Sequence, residues 1–141
     1  MAVISEQYIV SRLGNERHAF NIRDINEIIK MEYITEVPNS KPYIKGVINL
    51  RGKIIPVVSM CRRFGIPETP IGKLSRIVVV RYQNEATGII VDAVEKVTSF
   101  DDIQPPVDAN EPNGTHFMDG IGQSVDGLVG ILNIDRLFGE G

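Results

Sequence analysis

Few side chains in this 141-residue sequence could carry out catalysis or hold a metal. The two histidines, His18 and His116, have no Cys, Asp or Glu at a spacing that is typical of a metal site, so we expect none. Nucleophilic catalysis needs a serine or cysteine beside a histidine and an orienting acid. Ser59 is instead placed to cap a short helix that Cys61 enters, and we predict no catalytic residues.

Two other patterns fall short of a site. Asp101 and Asp102 are adjacent, so on a strand they would face opposite ways and could not work as an acid and base pair. Gly120 and Gly122 give only Gly-x-Gly in strand-like sequence, without the helix whose N-terminus would hold a pyrophosphate. An enzyme therefore remains an alternative without residues to support it.

Bulk composition predicts a soluble, cytoplasmic protein of one domain or of two very small lobes. Hydrophobic residues make up 43% of the chain and charged residues 23%, as in ordinary globular proteins. The start has no basic leader, and no apolar run approaches the roughly 20 residues that span a bilayer. The single Cys61 cannot form an internal disulfide, in agreement with a reducing compartment.

Charge is distributed unevenly along the chain. The net charge of −3 argues against a general nucleic-acid binder, which needs a basic face. Residues 37–67 contain cations and no acid, whereas residues 97–135 contain acids and no Lys or Arg. The pattern fits either two differently solvated surfaces or two faces for two partners, and charge does not decide between them. The cations are Lys41, Lys45, Arg51, Lys53, Arg62 and Arg63, and the acids are Asp101, Asp102, Asp108, Glu111, Asp119, Asp126 and Asp135.

Short runs rich in Val and Ile, broken by Gly, Asn, Asp or Pro about every 8 to 12 residues, predict a small all-β sandwich or barrel. A brief helical turn is expected after Asn21, because Ile22, Ile25, Ile28 and Ile29 recur at helical spacing. Residues 104–115 have the composition of a loop. The predicted strands are residues 6–13, 17–22, 31–37, 43–50, 53–58, 76–82, 86–91, 94–100, 117–123 and 127–132.

An internal repeat aligns residues 46–65 with residues 120–139 without gaps, at an offset of 74. In each copy an apolar run meets a capping residue, Ser59 or Asn133, then a helical turn and a terminating Gly65 or Gly139. A fainter match lies upstream at an offset of 69. The repeat predicts two lobes, roughly residues 6–70 and 74–139, which pack together with exchange of strands as an option and leave a groove between them.

The two copies differ at the tip of a predicted hairpin. In the first copy Arg51 and Gly52 lie between two strand-like runs, which places the arginine at an exposed tip. The second copy has Val125, Asp126 and Gly127 there, with no arginine. A solvated loop would explain Arg51, but so would a partner contact, because a guanidinium offers five donors and a planar face.

Nearly the whole chain resembles the CheW-like coupling proteins. The resemblance is carried by YIVSRLGNERHAFNI, DINEII, EVPNSKPYIKGVINLRGKIIPVV, TGIIVDAVEKV and GILNIDRLF, and the G-V-x-N-L-R-G core is its most specific part. It implies an all-β fold of two small five-stranded SH3-like barrels packed together, with a few short helices. It also implies a non-catalytic adaptor, without a cofactor, that binds the cytoplasmic tip of a chemoreceptor and the regulatory domain of the histidine kinase CheA.

The resemblance also implies two sets of contact residues. The residues expected to contact the receptor are Arg51, Ile54 and Val97, and those expected to contact the kinase are Ile25, Glu27 and Gly46. Ile25 and Val97 fit a role as core residues equally well. Arg76 departs from the family pattern, in which an apolar residue or threonine is usual, so no site is expected on its strand.

Three alternatives to this adaptor stay open. The chain could be a detached kinase regulatory domain or a CheW-like module of a paralogous sensory pathway. A small-barrel nucleic-acid binder would use exposed aromatic residues to stack bases, but the chain has only five Phe, four Tyr and no Trp. The third alternative is the enzyme considered above.

Overall fold

The computed structural model describes residues 6–105 and 117–139, whose regular structure includes eleven strands, two short α-helices and the 3-10 helix Ile22–Asp24. The helices are α1 (Met60–Phe64) and α2 (Ile134–Gly139), and no helix in the described residues is long and apolar enough to cross a membrane. The strands are β1 (Tyr8–Leu13), β2 (Glu16–Asn21), β3 (Ile25–Lys30), β4 (Ile44–Leu50), β5 (Lys53–Ser59), β6 (Arg76–Tyr82), β7 (Glu85–Val91), β8 (Ala93–Thr98), β9 (Ile103–Gln104), β10 (Met118–Ser124) and β11 (Gly127–Leu132).

The strands form two packed sheets, which confirms the predicted all-β fold. One sheet has the order β8-β1-β2-β11-β10-β9 and the other has the order β3-β6-β7-β5-β4. Neighbours are antiparallel except for β2 with β11 and β5 with β7, which are parallel. The extra strand of the first sheet, β9, contains Gln104, the first residue of the segment expected to be a loop. Residues 106–115 of that segment, and His116, lie outside the described residues.

The internal repeat is confirmed by the bounds of the elements. β4, β5 and α1 begin at residues 44, 53 and 60, and β10, β11 and α2 begin at 118, 127 and 134, each 74 residues later. Even single hydrogen bonds repeat: Ser59 N donates to the Tyr43 carbonyl at 2.9 Å, and Asn133 N donates to the Phe117 carbonyl at 2.7 Å. The two copies therefore share the same order and starting points of strands and helix, although their hairpin turns differ in backbone conformation.

The predicted helix caps are also present. Ser59 Oγ and Asn133 Oδ1 each accept a hydrogen bond from the backbone N–H three residues later, at 3.3 and 2.9 Å. Gly65 ends α1 in the left-handed conformation, with φ of 74°. Gly139, expected to end its helix in the same way, is instead the last residue of α2.

Both sheets draw strands from both halves of the chain. The hairpin β1–β2 corresponds to β6–β7 at the fainter offset of 69, and β3, β4 and β5 correspond to β8, β10 and β11. The first sheet joins β1 and β2 to β8, β10 and β11, while the second joins β6 and β7 to β3, β4 and β5. Each half thus contributes three strands to the sheet built on the other half's hairpin, and the lobe boundaries near residues 70 and 74 stay a prediction.

The helix expected around Ile22 to Ile29 is wrong beyond its first turn. Only Ile22–Asp24 is a 3-10 helix, capped by Asn21, and Ile25–Lys30 is strand β3. A bulge between Ile25 and Glu27 lets Ile25 and Ile28 face the same core despite their spacing of three, which imitates a helical pattern. β-branched isoleucines favour the extended backbone.

The strand expected at residues 31–37 is also wrong, because this segment contributes only an isolated bridge between Thr35 and Val47. That bridge has a structural effect nonetheless. It links the chain just after β3 to β4, and these strands lie at opposite edges of the five-stranded sheet. The sheet therefore closes on itself around its own apolar interior.

The buried apolar residues form three clusters. The largest combines residues of both sheets with residues of both helices, so it joins the sheets; each of the other two lies within one sheet. The shared cluster contains Leu13, Phe20, Met60, Cys61, Phe64, Val78, Val80, Ile89, Val91, Met118, Leu132, Ile134 and Leu137. The first sheet encloses Tyr8, Val10, Ala19, Val129 and Ile131, and the second encloses Ile48, Ile55, Val57, Ile77 and Val79.

Candidate partner-binding site

The β4–β5 hairpin, here called the Arg51 hairpin, ends in a two-residue turn. Leu50 pairs with Lys53, and the two residues between them, Arg51 and Gly52, have φ of 51° and 86°. Two positive φ values in a two-residue loop are typical of a type I′ turn. Asn49 Oδ1 accepts a hydrogen bond from Gly52 N at 2.9 Å and so holds the turn from the side.

Arg51 is an unusual residue for this turn. Asn, Asp and Gly are preferred at a position with positive φ, because a longer side chain pays a steric penalty in the left-handed region. Its side chain is nevertheless 68% exposed, so burial does not explain the choice. Gln83 in the β6–β7 turn has the same φ of 51°, so a long side chain at positive φ is not confined to this hairpin.

We expect Arg51→Asn to raise the thermal unfolding midpoint by about 2–4 °C, since asparagine tolerates this backbone conformation better. The measurement is thermal denaturation of the purified variant beside the unaltered protein. The lost ion pair should offset little of this gain because it lies at the surface. A lower midpoint would show that the hairpin needs arginine for its own stability.

Arg51 forms an ion pair with Glu27 on the edge strand β3. This hydrogen bond and the charge of the carboxylate raise the pKa of the Arg51 guanidinium above its ordinary value. β3 and the β4–β5 hairpin come from opposite sides of the sheet, and the pair spans the closed end. It brings together one residue of the expected receptor set and one of the expected kinase set.

The other two residues of the receptor set lie on different sheets. Ile54 is the second residue of β5 after the Arg51 turn and is 66% exposed. It lines a shallow cleft of about 380 Å³ beside Pro56 and Ala86. Val97 is 55% exposed on β8, the edge strand of the six-stranded sheet. Val97 is therefore not a buried core residue, and its contact with a receptor stays a prediction.

The remaining kinase-set residues have evident structural roles. Ile25 is half-buried and packs against the cluster that joins the two sheets. Gly46 lies at a bulge of β4, where a Cβ atom would collide with the carbonyl oxygen of Thr35 and lie 2.7 Å from Ile34 Cγ2. These structural roles would by themselves explain an isoleucine and a glycine at the two positions. The roles of both residues in kinase binding stay predictions.

A cleft of about 430 Å³ lies where the edge strands β3 and β8 of the two sheets approach each other. Its floor is apolar, with Ile28 from one sheet and Val94 from the other, and the exposed Leu74 stands at its side. Arg76, the departure from the family pattern, also lines it and donates to the carbonyls of Lys73 and Ser75. The complete lining is Arg12, Ile28, Leu74, Arg76, Ala93, Val94 and Glu95.

The residues considered for catalysis have other environments. Ser59 caps α1, and Cys61 is 4% exposed in the shared core. His18 is 1% exposed and packs against Phe64, with ring centroids 5.1 Å apart. Within residues 6–105 and 117–139, no group of three or more His, Cys, Asp or Glu could hold a metal ion.

Sequence reasoning missed two features of this region. The pairing of Arg51 with Glu27 could not be read from residues 24 apart without knowing that the sheet closes. The aliphatic tip of the second hairpin was noted only for its lack of arginine, although the offset of 74 places Val125 and Leu128 at the positions of Arg51 and Ile54. Val125 is 97% exposed and Leu128 is 67% exposed.

Comparison with known proteins decides the family. Residues 7–141 match the family described as CheW-like domain. The chain belongs to the CheW-like family. CheW-like proteins are scaffold and adaptor proteins of chemotaxis rather than enzymes, and their known structures consist of two SH3-like β-barrels, in agreement with the two sheets of this chain.

Individual CheW-like relatives match along most of their length. The Chemotaxis protein CheW of Helicobacter pylori is 33% identical over 93% of this chain and 80% of the relative, and that of Treponema pallidum is 28% identical over 98% and 86%. Protein PilI of Pseudomonas aeruginosa is 30% identical over 77% of this chain and 64% of the relative. The crystal structure of the scaffolding protein TtCheW from Thermoanaerobacter tengcongensis superimposes with a TM-score of 0.88 at 36% identity, covering 97% of this chain and 90% of that one.

Proposed function

We propose that this chain is a cytoplasmic adaptor that couples the tip of a methyl-accepting chemoreceptor to the regulatory domain of the kinase CheA, at the inner face of the membrane. The observation that carries the proposal is the Arg51 hairpin. Its turn, with positive φ at Arg51, presents an exposed arginine on the same hairpin as an exposed isoleucine, Ile54. An aliphatic anchor next to a guanidinium suits a helix that has an apolar stripe and an acidic rim.

The receptor tip, a bundle of long helices, would place its apolar face against Ile54 and the cleft between the two sheets. Arg51 would fix the register of the helix through a carboxylate of the receptor, and Val97 would contact it from the other sheet. The kinase domain would dock at Ile25, Glu27 and Gly46, barrel end to barrel end.

The ion pair gives the two partners a physical connection. A receptor carboxylate that binds Arg51 competes with Glu27, and a kinase group that binds Glu27 competes with Arg51. Binding of one partner therefore releases from the ion pair the residue that the other partner contacts. The affinity for the second partner then changes, and this change is the coupling that an adaptor needs. No chemical step in this chain is involved.

The test is a titration of a purified receptor tip fragment and a purified CheA regulatory domain against the full chain, separately and together, by calorimetry. We expect each to bind alone and both to bind at once, with a shift in the affinity of the second partner. If neither binds, the adaptor function is wrong.

A paralogous sensory pathway is the second candidate, because one of the matching relatives is PilI rather than a protein named for chemotaxis. Binding to a kinase regulatory domain without binding to a chemoreceptor tip would favour it. A chain that binds a receptor tip but no kinase regulatory domain would instead fit a detached regulatory domain.

A further inference from the structure

The β10–β11 hairpin presents a second exposed apolar tip. By the offset of 74, Val125 and Leu128 occupy the positions of Arg51 and Ile54, and Leu128 is as exposed as Ile54, at 67% against 66%. Val125 is 97% exposed, which is extreme for an aliphatic residue in a turn. The strands support this equivalence, because β4 and β10 have the same bounds after the shift and β5 and β11 begin at equivalent residues. The turns themselves differ, since φ is positive at Arg51 and Gly52 but in the second hairpin at Gly127. We call residues 125–128 the Val125 tip.

Each tip is tied to the edge strand of its own sheet by one ion pair, and the polarity is reversed between them. In the second sheet the tip supplies the cation, Arg51, and β3 supplies Glu27. In the first sheet the tip supplies the anion, Asp126, and β8 supplies Lys96, with Nζ 3.1 Å from Oδ2. The equivalent ion pair thus places a basic residue, Arg51, at one tip and an acidic residue, Asp126, at the other.

The surroundings of the Val125 tip are acidic too. Gly122 on β10 pairs with Ile103 on β9, so the preceding exposed residues Asp101 and Asp102 lie toward the tip end of the hairpin. The cations nearby are engaged in contacts: Lys96 pairs with Asp126, and both Arg12 and Arg17 pair with Glu95. Arg17 Nη1 also donates to the Asp126 carbonyl oxygen at 3.5 Å. Two aliphatic side chains in an acidic rim complement a ligand that combines apolar and basic groups.

We propose that the Val125 tip is a second docking surface, which binds an amphipathic helix carrying lysine or arginine beside its apolar stripe. The comparison with the Arg51 hairpin rests on the proposed function, in which that hairpin contacts an apolar helix with an acidic rim. The exposure of Val125 and Leu128 and the acidic rim stand independently of it. The two tips would then select partners of opposite charge, so that one scaffold holds two different helices without exchange between the sites.

The test uses two designed helical peptides that share one apolar stripe and differ only in rim charge, lysine in one and glutamate in the other. Each is titrated into the full chain, isotopically labelled, and followed by the NMR shifts of backbone amides. The lysine peptide should shift Val125, Leu128 and Lys96, and the glutamate peptide should shift Arg51, Ile54 and Glu27. Both variants described next alter exposed side chains, and unchanged melting curves will show that the fold is intact.

The double variant Val125→Ser with Leu128→Ser should weaken binding of the lysine peptide by about tenfold or more and leave binding of the glutamate peptide unchanged. The matched control, Arg51→Ala with Ile54→Ser, should do the opposite. The proposal is wrong if the lysine peptide does not bind or if it binds at the Arg51 hairpin. It is also wrong if the serine variant binds the lysine peptide as tightly as the unaltered chain does. Self-association of the chain that is lost in the serine variant also overturns the proposal, because a second copy would then occupy the tip.

The outcomes separate this inference from the adaptor function. If the chain fails to bind a receptor tip but the lysine peptide still shifts the Val125 tip, the adaptor function fails and the inference stands. If the receptor tip binds at Arg51 and the lysine peptide binds nowhere, the inference alone is wrong.

Discussion

Replacing Arg51 with alanine should weaken binding of a chemoreceptor tip by about ten- to a hundredfold, the loss that is typical when a central arginine anchor is removed. The backbone of the turn that carries Arg51 is held by the hydrogen bond from Gly52 N to Asn49 Oδ1, so little backbone entropy is lost when a partner binds there. The measurement is the dissociation constant of the receptor tip fragment by calorimetry. An unchanged constant would remove Arg51 from the site.

Arg23→Ala is a matched control for this variant. Arg23 is 75% exposed and, like Arg51, forms an ion pair with a glutamate, Glu6, at 2.7 Å. It lies on the 3-10 turn rather than on the hairpin, so its removal changes the net charge equally but should leave receptor affinity within about twofold. Glu27→Gln, which frees Arg51 from its partner, should strengthen receptor binding if a receptor carboxylate competes with Glu27.

Gly46→Ala should lower the free energy of unfolding by about 3 kcal/mol, because the new methyl group collides with the backbone at Thr35. The collision cannot be relieved cheaply. Thr35 and Val47 exchange two backbone hydrogen bonds of 2.9 and 2.8 Å, and moving the Thr35 carbonyl away would break that bridge. Denaturant unfolding monitored by circular dichroism measures the loss.

Gly72→Ala is the control for this substitution, because Gly72 has open space around the position of a Cβ atom and no positive φ. Its effect should stay within about 0.5 kcal/mol. Kinase binding of Gly46→Ala should then be measured under conditions where the variant is folded. Loss of kinase affinity in the folded variant would support a contact at Gly46, whereas normal affinity would leave it a purely structural glycine.

The repeat was the part of the fold most open to prediction from sequence. Capping residues and apolar runs act locally, so residues 46–65 and 120–139 form strands and a short helix that begin at equivalent positions. Strand β3 was harder to predict because a bulge changes the phase of the alternation, and the isoleucines then appear at helical spacing. β9 has only two residues, too few to show a pattern.

The candidate site was predicted residue by residue but not as an arrangement. The turn chemistry around Arg51 follows from neighbouring residues, and its exposure was expected. Its partner Glu27 depends on closure of the sheet, which brings together strands from opposite edges. The structural need for Gly46 depends on a segment eleven residues earlier that crosses β4 without forming a strand. Contacts of this kind follow from topology, which local sequence does not encode.

The exchanged strands also determine when each sheet can form as the chain is synthesised. The five-stranded sheet uses residues 25–91 only, so it can be complete while the C-terminal third is still missing. The other sheet pairs Ala19 with Ile131, which requires closing a loop of more than a hundred residues. Such remote pairing is slow. The edge of β2 that pairs with β11 therefore stays unpaired until β11 has been synthesised. During this interval the chain is most vulnerable to aggregation.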